Sequence, residues 1–315
     1  MTGLISRAMG RPAVAGPPAA AGPDPAAGLR SATPLLSVIV ITKNEVANLG
    51  RCLRSAAFAD EWVVVDSGST DGTQALARSL GARLVEPPDW PGFGAQKQRA
   101  LDAARGTWVL SLDADEWLDE TLAAAVQQAV RQAIQQAVQD PEQSANPTPS
   151  PDAFEVTRLS AFCGQWMRAS GWYPDRGVRL FRRGAARFSS DLVHEHLELT
   201  GRATSTIPRL PGLLLHNSIP TLENAIDKMN RYSSGRARDL QAKGRRGSLA
   251  AALGHGLWAF LRTYLLKRGF LDGQLGLVLA LHNAETTYYR YLKLWLLQQG
   301  ERPLPPAPQR DSGKR

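Results

Sequence analysis

The segment LSLDADEWLD, Leu110–Asp119, changes character halfway along. Its start reads as a buried strand, yet the eight residues from Asp113 carry Asp113, Asp115, Glu116, Asp119 and Glu120. Carboxylates this crowded at a strand end repel one another unless cations sit among them or water solvates them. Alternate residues of an extended segment face the same way, so Asp113 and Asp115 share one face. A carboxylate there can bind a hard divalent cation, Mg²⁺ or Mn²⁺, that keeps much of its shell for water and phosphate oxygens. The same residues also fit a solvated strand end running into an acidic helix N-terminus, which the helix dipole favours.

Outward from this segment, strands and helices alternate. LLSVIVIT (Leu35–Thr42) is a continuous β-branched run, the mark of a strand buried on both faces. EWVVVD (Glu61–Asp66), ARLVE (82–86) and TWVLSLD (107–113) read as three further strands. Between them lie helical patterns in NEVANLGRCLRSA, with Asn44 as the N-cap, in QALARSL, and in GAQKQRALDAARG, closed by Gly106. This spacing predicts an α/β unit with a parallel sheet, and in such sheets ligands bind outside the carboxyl ends of strands. Asp66 and Asp113 both stand there.

Residues 120–139 then read as a helix, and 140–152, rich in Pro, Ser and Asn, as a flexible loop. AFEVTRLSAF, GVRLFRR and ARFSS read as strands. From Ile219 to residue 300 the pattern is helical, with two apolar helices split by a turn at RGFLDG. Residues 1–34, interrupted by Pro and Gly, read as a disordered lead rather than a signal peptide, and 301–315 as a disordered tail.

The net charge of +8 is unevenly placed. Between Lys228 and Gln299 twelve Lys/Arg face three Asp/Glu, so this segment carries +9 and the rest of the chain −1. A local anionic partner is implied, either nucleic acid or a membrane surface. No nucleic-acid motif accompanies the charge. Trp258, Phe260, Tyr264, Leu265 and Leu266 ahead of Lys267 and Arg268 suit a helix pair lying in a membrane interface, or alternatively a completed core or dimer contact. No stretch reaches the length of an uncharged spanning helix. Two cysteines, Cys52 and Cys163, make neither a disulfide framework nor a metal site, which favours a reduced, cytosolic compartment.

The order VIVITKNE, VVVDSGSTDGT, GFGAQKQRA, WVLSLDADE resembles the nucleotide-sugar domain of inverting family-2 glycosyltransferases. The resemblance implies the GT-A fold over 35–218: a Rossmann-like, mostly parallel sheet with flanking helices, followed by a helical membrane-associating extension over 219–300. It implies that Thr42, Asn44, Glu45 and Asp66 cradle the nucleotide, that Asp113 contacts the ribose, and that Asp115 holds the metal. One departure stands out, since Asp66 is followed by Ser67 where many relatives have a second acid. Base recognition then rests on Asp66 or on Asp71, and Asp71 also fits as a cap of the next helix. Lys97 is either a nucleotide or phosphate contact or an exposed helical lysine. Trp117 reads as packing.

The second half, in ASGWYPDRGVRLFRRGAARFSSDLVHEHLEL, GLLLH and LLKRGFLDGQLGLVLALHNAETTYYRYLKLW, resembles bacterial lipopolysaccharide inner-core β-1,4-glucosyltransferases. That implies glucose transfer from UDP-glucose to a core heptose, at the cytoplasmic face of the inner membrane. Inversion requires one in-line displacement and a base for the acceptor hydroxyl, with Glu195 favoured over Asp191. A surface carboxylate paired with arginine is the other reading of Glu195. His194 and His216 could approach diphosphate or metal, or be structural histidines. Arg176 and Arg179 could grip phosphates, and Trp172 could stack on sugar or pack in the core. Two other functions stay open: transfer of another UDP-sugar to a polyprenyl phosphate or other glycan, and non-catalytic nucleotide-sugar binding at a membrane.

Overall fold

The apolar runs decide which strands lie innermost. A computed structural model describes residues 34–139, 151–189, 196–200 and 207–300. In chain order the first half runs β1 (Leu36–Thr42), α1 (Val46–Ser55), β2 (Glu61–Asp66), α2 (Thr73–Ser79), β3 (Arg83–Val85), α3 (Phe93–Ala103) and β4 (Trp108–Asp113). These strands pair in the order β3-β2-β1-β4, all parallel. Leu36, Val38 and Val40 pack one face of the sheet against Leu49 and Leu53 of α1. Ile39, Val63 and Val65 pack the other against Ala100 and Leu101 of α3. Both faces of β1 are therefore dry, as its unbroken apolar run requires.

Beyond β4 the sheet changes sense. β5 (Glu116–Leu118) and α4 (Glu120–Gln139) follow, then β6 (Ala153–Phe162), β7 (Gln165–Trp166), β8 (Asp175–Arg182), β9 (Ala186–Phe188), β10 (Leu197–Leu199) and β11 (Arg209–Ile219). The order continues β4-β8-β6-β11-β5, with β7 on β6 and a separate β9–β10 ribbon. Among the described residues of this half, only β6 and β11 pair in parallel. The core sheet is the parallel one predicted, and antiparallel strands extend it on the β4 side. Gly212 lets β11 pass the start of α4, with φ +94° and a Cβ that would fall 2.3 Å from the Leu122 nitrogen.

The remaining described chain is helical: α5 (Leu222–Ala242), α6 (Leu249–Leu261), a π-helical turn (Arg262–Leu266), a 3₁₀ turn (Gly269–Asp272) and α7 (Gly273–Gln299). The expected break between two apolar helices falls at that 3₁₀ turn. Phe162, Met167 and Ile219 from the sheet side pack with Ala225 of α5 and Leu279 of α7. Among the described residues no helix is long and apolar enough to cross a membrane. The predicted lead (1–34), loop (140–152) and tail (301–315) lie, apart from Pro34, Pro151 and Asp152, outside the described residues.

Candidate active site

The registers Thr42↔Asp66 and Ile41↔Asp113 bring the carboxyl ends of β1, β2 and β4 to one edge. Asp66 is fully buried there. Its Oδ1 accepts from the backbone N–H groups of Gly68 (3.1 Å) and Ser69 (2.8 Å) and from Gln74 Nε2 (2.6 Å). Its Oδ2 accepts from Thr42 Oγ1 at 2.9 Å and from Ser69 Oγ. Burial works to raise this carboxyl, but the Ser69 and Gln74 donors outweigh it and hold the pKa below the ordinary range. A carboxylate has about four lone-pair sites, so five donors saturate it. Asp66 thus shapes the loop that follows β2, and any contact with a nucleotide would replace one of these donors.

The two loops at this edge are laced together. Asn44 is not the cap of α1; that position is Glu45, and Asn44 has φ 58°. Its Oδ1 accepts from Thr70 N–H and its own N–H donates to Ser69 Oγ, both at 2.8 Å. The capping falls to Asp71, whose Oδ2 accepts from Val46 N–H (3.1 Å) while Oδ1 accepts from Thr73 N–H (3.0 Å). A long-range cap replaced the local one because Asn44 turns into the left-handed region, as Asn tolerates. Asp71 thus serves two helix starts, as its capping reading requires.

The acidic run divides by role. Asp119 accepts from Leu122 N–H at 2.7 Å and Glu120 occupies the first turn of α4, so the helix-start reading holds for these two. Asp113 and Glu116 meet cations. Asp113 pairs with Lys97 Nζ at 2.9 Å and Arg179 Nη2 at 3.5 Å. Burial would raise its carboxyl, but the Lys97 ammonium and the Arg179 guanidinium hold it far below the usual carboxylate range. Lys97 is buried, not an exposed helical lysine. Glu116 is wholly buried: Oε1 accepts from Arg158 Nη1 (2.9 Å) and Arg179 Nη2 (2.8 Å), and Oε2 from Asp113 N–H (2.9 Å). Arg158 also reaches Asp175 at 2.6 Å.

Asp115 has a different neighbourhood. Its Oδ2 lies 3.3 Å from His216 Nε2, and His216 Nδ1 lies 3.0 Å from Ser160 Oγ. The short strand β5 makes this meeting, because it pairs its Glu116 with His216 of β11. The Asp115 charge also acts on Glu45, whose carboxyl is raised by burial, and on Lys228 of α5, whose ammonium is lowered by burial. Among the described residues no group of three or more His, Cys, Asp and Glu gathers as a cation cage. The pair does fit part of a shell: bonds of about 2.1 Å to one octahedral ion would place cis ligands about 3 Å apart. Diphosphate and water would have to supply the other ligands.

The family model for "Glycosyl transferase family 2" matches residues 37–186, which spans β1 to β9 and the whole acidic cluster. A "Lipopolysaccharide core biosynthesis glycosyltransferase LpsC" of Rhizobium meliloti (strain 1021) is 30% identical over 269 residues, 81% of this chain and 93% of its own. The chain belongs to glycosyltransferase family 2. An uncharacterized glycosyltransferase of Rickettsia prowazekii (strain Madrid E) is 29% identical over 82% of this chain and 86% of its own. Among solved structures, S. aureus TarS 1-349 in complex with UDP-GlcNAc aligns with 84% of this chain and 92% of its own at 14% identity. Its TM-score of 0.40 is too low to carry an argument about ligands.

In this transferase a cavity of about 400 Å³ opens beside the cluster, lined by Lys97, Asp113, Arg158, Arg176, Arg179 and His196 among others. A second cavity of about 450 Å³ lies between α5 and α7 at Arg238, Lys293 and Leu296, with no acid in its lining. Only the first brings carboxylates and cations to the sheet edge. Trp172 packs edge-on against Phe162, with 6.0 Å between ring centroids, and belongs to the core reading. Trp117 stacks under the Arg51 guanidinium at 3.5 Å, as packing predicts. Asp191, His194 and Glu195 lie outside the described residues, although the next residue, His196, lines the cavity. The sequence reading missed Glu116, Arg158 and Lys228 as members of the site. An arginine inside the strand pattern AFEVTRLSAF was the available signal for Arg158.

Proposed function

We propose that this family-2 transferase moves glucose from UDP-glucose to an inner-core heptose of lipopolysaccharide, in β-1,4 linkage and with inversion. The observation that carries the reading is the division of the acidic cluster. Asp113 is neutralised by Lys97 and Arg179, while Asp115 and His216 stand 3.3 Å apart, a spacing that supports their proposed role as two ligands of one cation. A divalent ion bound there supplies positive charge to the departing diphosphate. In this reading Thr42, Asn44, Glu45 and Asp66 border the nucleotide. In the same reading Asp113 meets the ribose, and Arg176 and Arg179 meet phosphate oxygens or an anionic acceptor. The similarity to a protein named for lipopolysaccharide core biosynthesis supports the acceptor class.

The reaction is one displacement. The acceptor hydroxyl oxygen bonds to the anomeric carbon, the bond from that carbon to the UDP oxygen breaks, and the hydroxyl proton passes to a carboxylate base. Glu195 is proposed as that base, with Asp191 as the substitute. A lipid-linked acceptor places the enzyme peripherally at the cytoplasmic face of the inner membrane.

The test is UDP release by the purified protein with UDP-glucose, UDP-galactose or UDP-N-acetylglucosamine, with and without a heptose-bearing lipid A–core, in Mg²⁺, Mn²⁺ or EDTA. Metal-dependent, acceptor-stimulated release from UDP-glucose is the expected result. Release from another sugar alone overturns the donor. Binding of UDP with no turnover on any donor overturns the catalytic reading.

A further inference from the structure

α6 is apolar apart from His255, whose ring stacks on Tyr291. Its 13 residues, LAAALGHGLWAFL, include no Asp, Glu, Lys or Arg. A seam of small residues is buried against α7, where a Cβ on Gly256 would come 3.2 Å from Tyr288 Cβ. Away from that seam Leu253 is 57% exposed, Leu257 61% and Trp258 54%. Lone surface leucines are ordinary, but an uncharged helix with this much exposed apolar surface belongs in a core or in lipid. The surface continues onto the tip joining α6 to α7, where Leu265, Leu266, Phe270 and Leu271 are also exposed. Contiguous apolar surface of this kind marks an interaction site.

The charge around it selects the partner. Residues 245–271 carry Arg245, Arg246, Arg262, Lys267 and Arg268 and no acid. A second copy laid on the same surface would oppose cation to cation, whereas an anionic bilayer complements both the leucines and the arginines. The tip is also held firmly. Asp272 is buried, with Oδ1 accepting from Arg168 N–H (2.9 Å) and Oδ2 from Ser170 Oγ (2.7 Å). Lys267 C=O accepts from Ser170 N–H at 2.9 Å. These bonds tie the tip to the connection between β7 and β8, and β8 carries Arg176 and Arg179 of the active site.

We propose that the outward face of α6 and the α6–α7 tip dock on an anionic lipid bilayer, with the apolar side chains entering the headgroup boundary and Arg262, Lys267 and Arg268 meeting lipid phosphates. Through Asp272 the docked tip sets the orientation of the sheet edge toward lipid-borne acceptors. The docking does not depend on which sugar or acceptor the enzyme uses.

The full chain would be sedimented with phosphatidylcholine vesicles with and without phosphatidylglycerol, at low and high salt. It is expected to sediment with phosphatidylglycerol vesicles only, and less at high salt. Leu257→Gln/Leu266→Gln/Leu271→Gln should lower the partition coefficient by on the order of a thousandfold, since each buried leucine is worth roughly tenfold. Arg262→Gln/Lys267→Gln should weaken the preference for the anionic lipid, since each basic residue contributes roughly fivefold, or about 1 kcal/mol. UDP binding, unchanged in both variants, reports that they are folded and separates this test from that of the catalytic reading. Equal sedimentation with neutral vesicles, no sedimentation at all, or a lipid-free dimer that the triple variant dissolves would each overturn the proposal.

Discussion

Replacing Glu116 with Gln keeps the shape of the side chain and removes one charge from the centre of the site. Glu116 is fully buried, and its two oxygens accept three N–H groups: two guanidinium donors on Oε1 at 2.8 and 2.9 Å, and the Asp113 backbone on Oε2 at 2.9 Å. A glutamine cannot match this pattern. If its oxygen faces the arginines, its NH₂ opposes the Asp113 N–H; if it flips, the NH₂ opposes both guanidinium groups. Either way donor meets donor in a buried place. Breaking a buried pair costs about 3–5 kcal/mol when nothing compensates. Here Arg158 keeps Asp175 and Arg179 keeps Asp113, so the expected cost is about 2–4 kcal/mol. Urea unfolding of Glu116→Gln against wild type measures it, with Glu120→Gln on the exposed first turn of α4 as a control of smaller effect. A folded Glu116→Gln within about 1 kcal/mol of wild type would refute the reasoning.

Lys97→Met leaves Asp113 with Arg179 alone and should cost about 2–3 kcal/mol at neutral pH by the same unfolding assay. The loss carries a pH signature. Because the folded-state pKa of Asp113 is depressed, its contribution is complete above the ordinary aspartate pKa of about 3.9 and fades as the pH falls below it. The gap between wild type and Lys97→Met should therefore narrow on acidification below about pH 4, and a gap that widens there would contradict the assignment. Cys52 is buried and burial pushes its thiol pKa well up, so a thiol reagent should label the native protein at Cys163 and spare Cys52 until unfolding. Mass spectrometry of the labelled peptides reads this directly.

What the sequence disclosed depended on how local the cause was. The β-branched run of β1 announced a strand buried on both faces, and Ile39 and Val40 indeed join cores on opposite sides. The same logic placed Asp66 and Asp113 at one edge, because parallel strands share their carboxyl ends. The antiparallel half was legible as strands but not as an order. No local pattern says that β8 lies beside β4, or that a three-residue β5 finds β11. The contacts of the site follow from that hidden order. Arg158 and Arg179 meet Glu116 across strands far apart in sequence, and His216 reaches Asp115 only through the β5–β11 register. The Asn44 cap failed for a related reason, since Asp71 arrives from the next loop and takes the duty. Asp66 also accepts five internal donors, and no local sign in the sequence says that Gly68, Ser69 and Gln74 supply four of them.

The account turns on whether the cluster holds a metal–diphosphate. Calorimetric titration of UDP into wild type and Asp115→Asn, each with Mn²⁺ and with EDTA, measures this without an acceptor or turnover. Wild type should bind UDP at least about tenfold more tightly with the metal, a coupling of about 1.4 kcal/mol or more, and Asp115→Asn should bind equally with and without it. UDP affinity indifferent to metal in wild type, or a full metal effect retained in Asp115→Asn, would contradict the assignment of Asp115 and of the chemistry built on it.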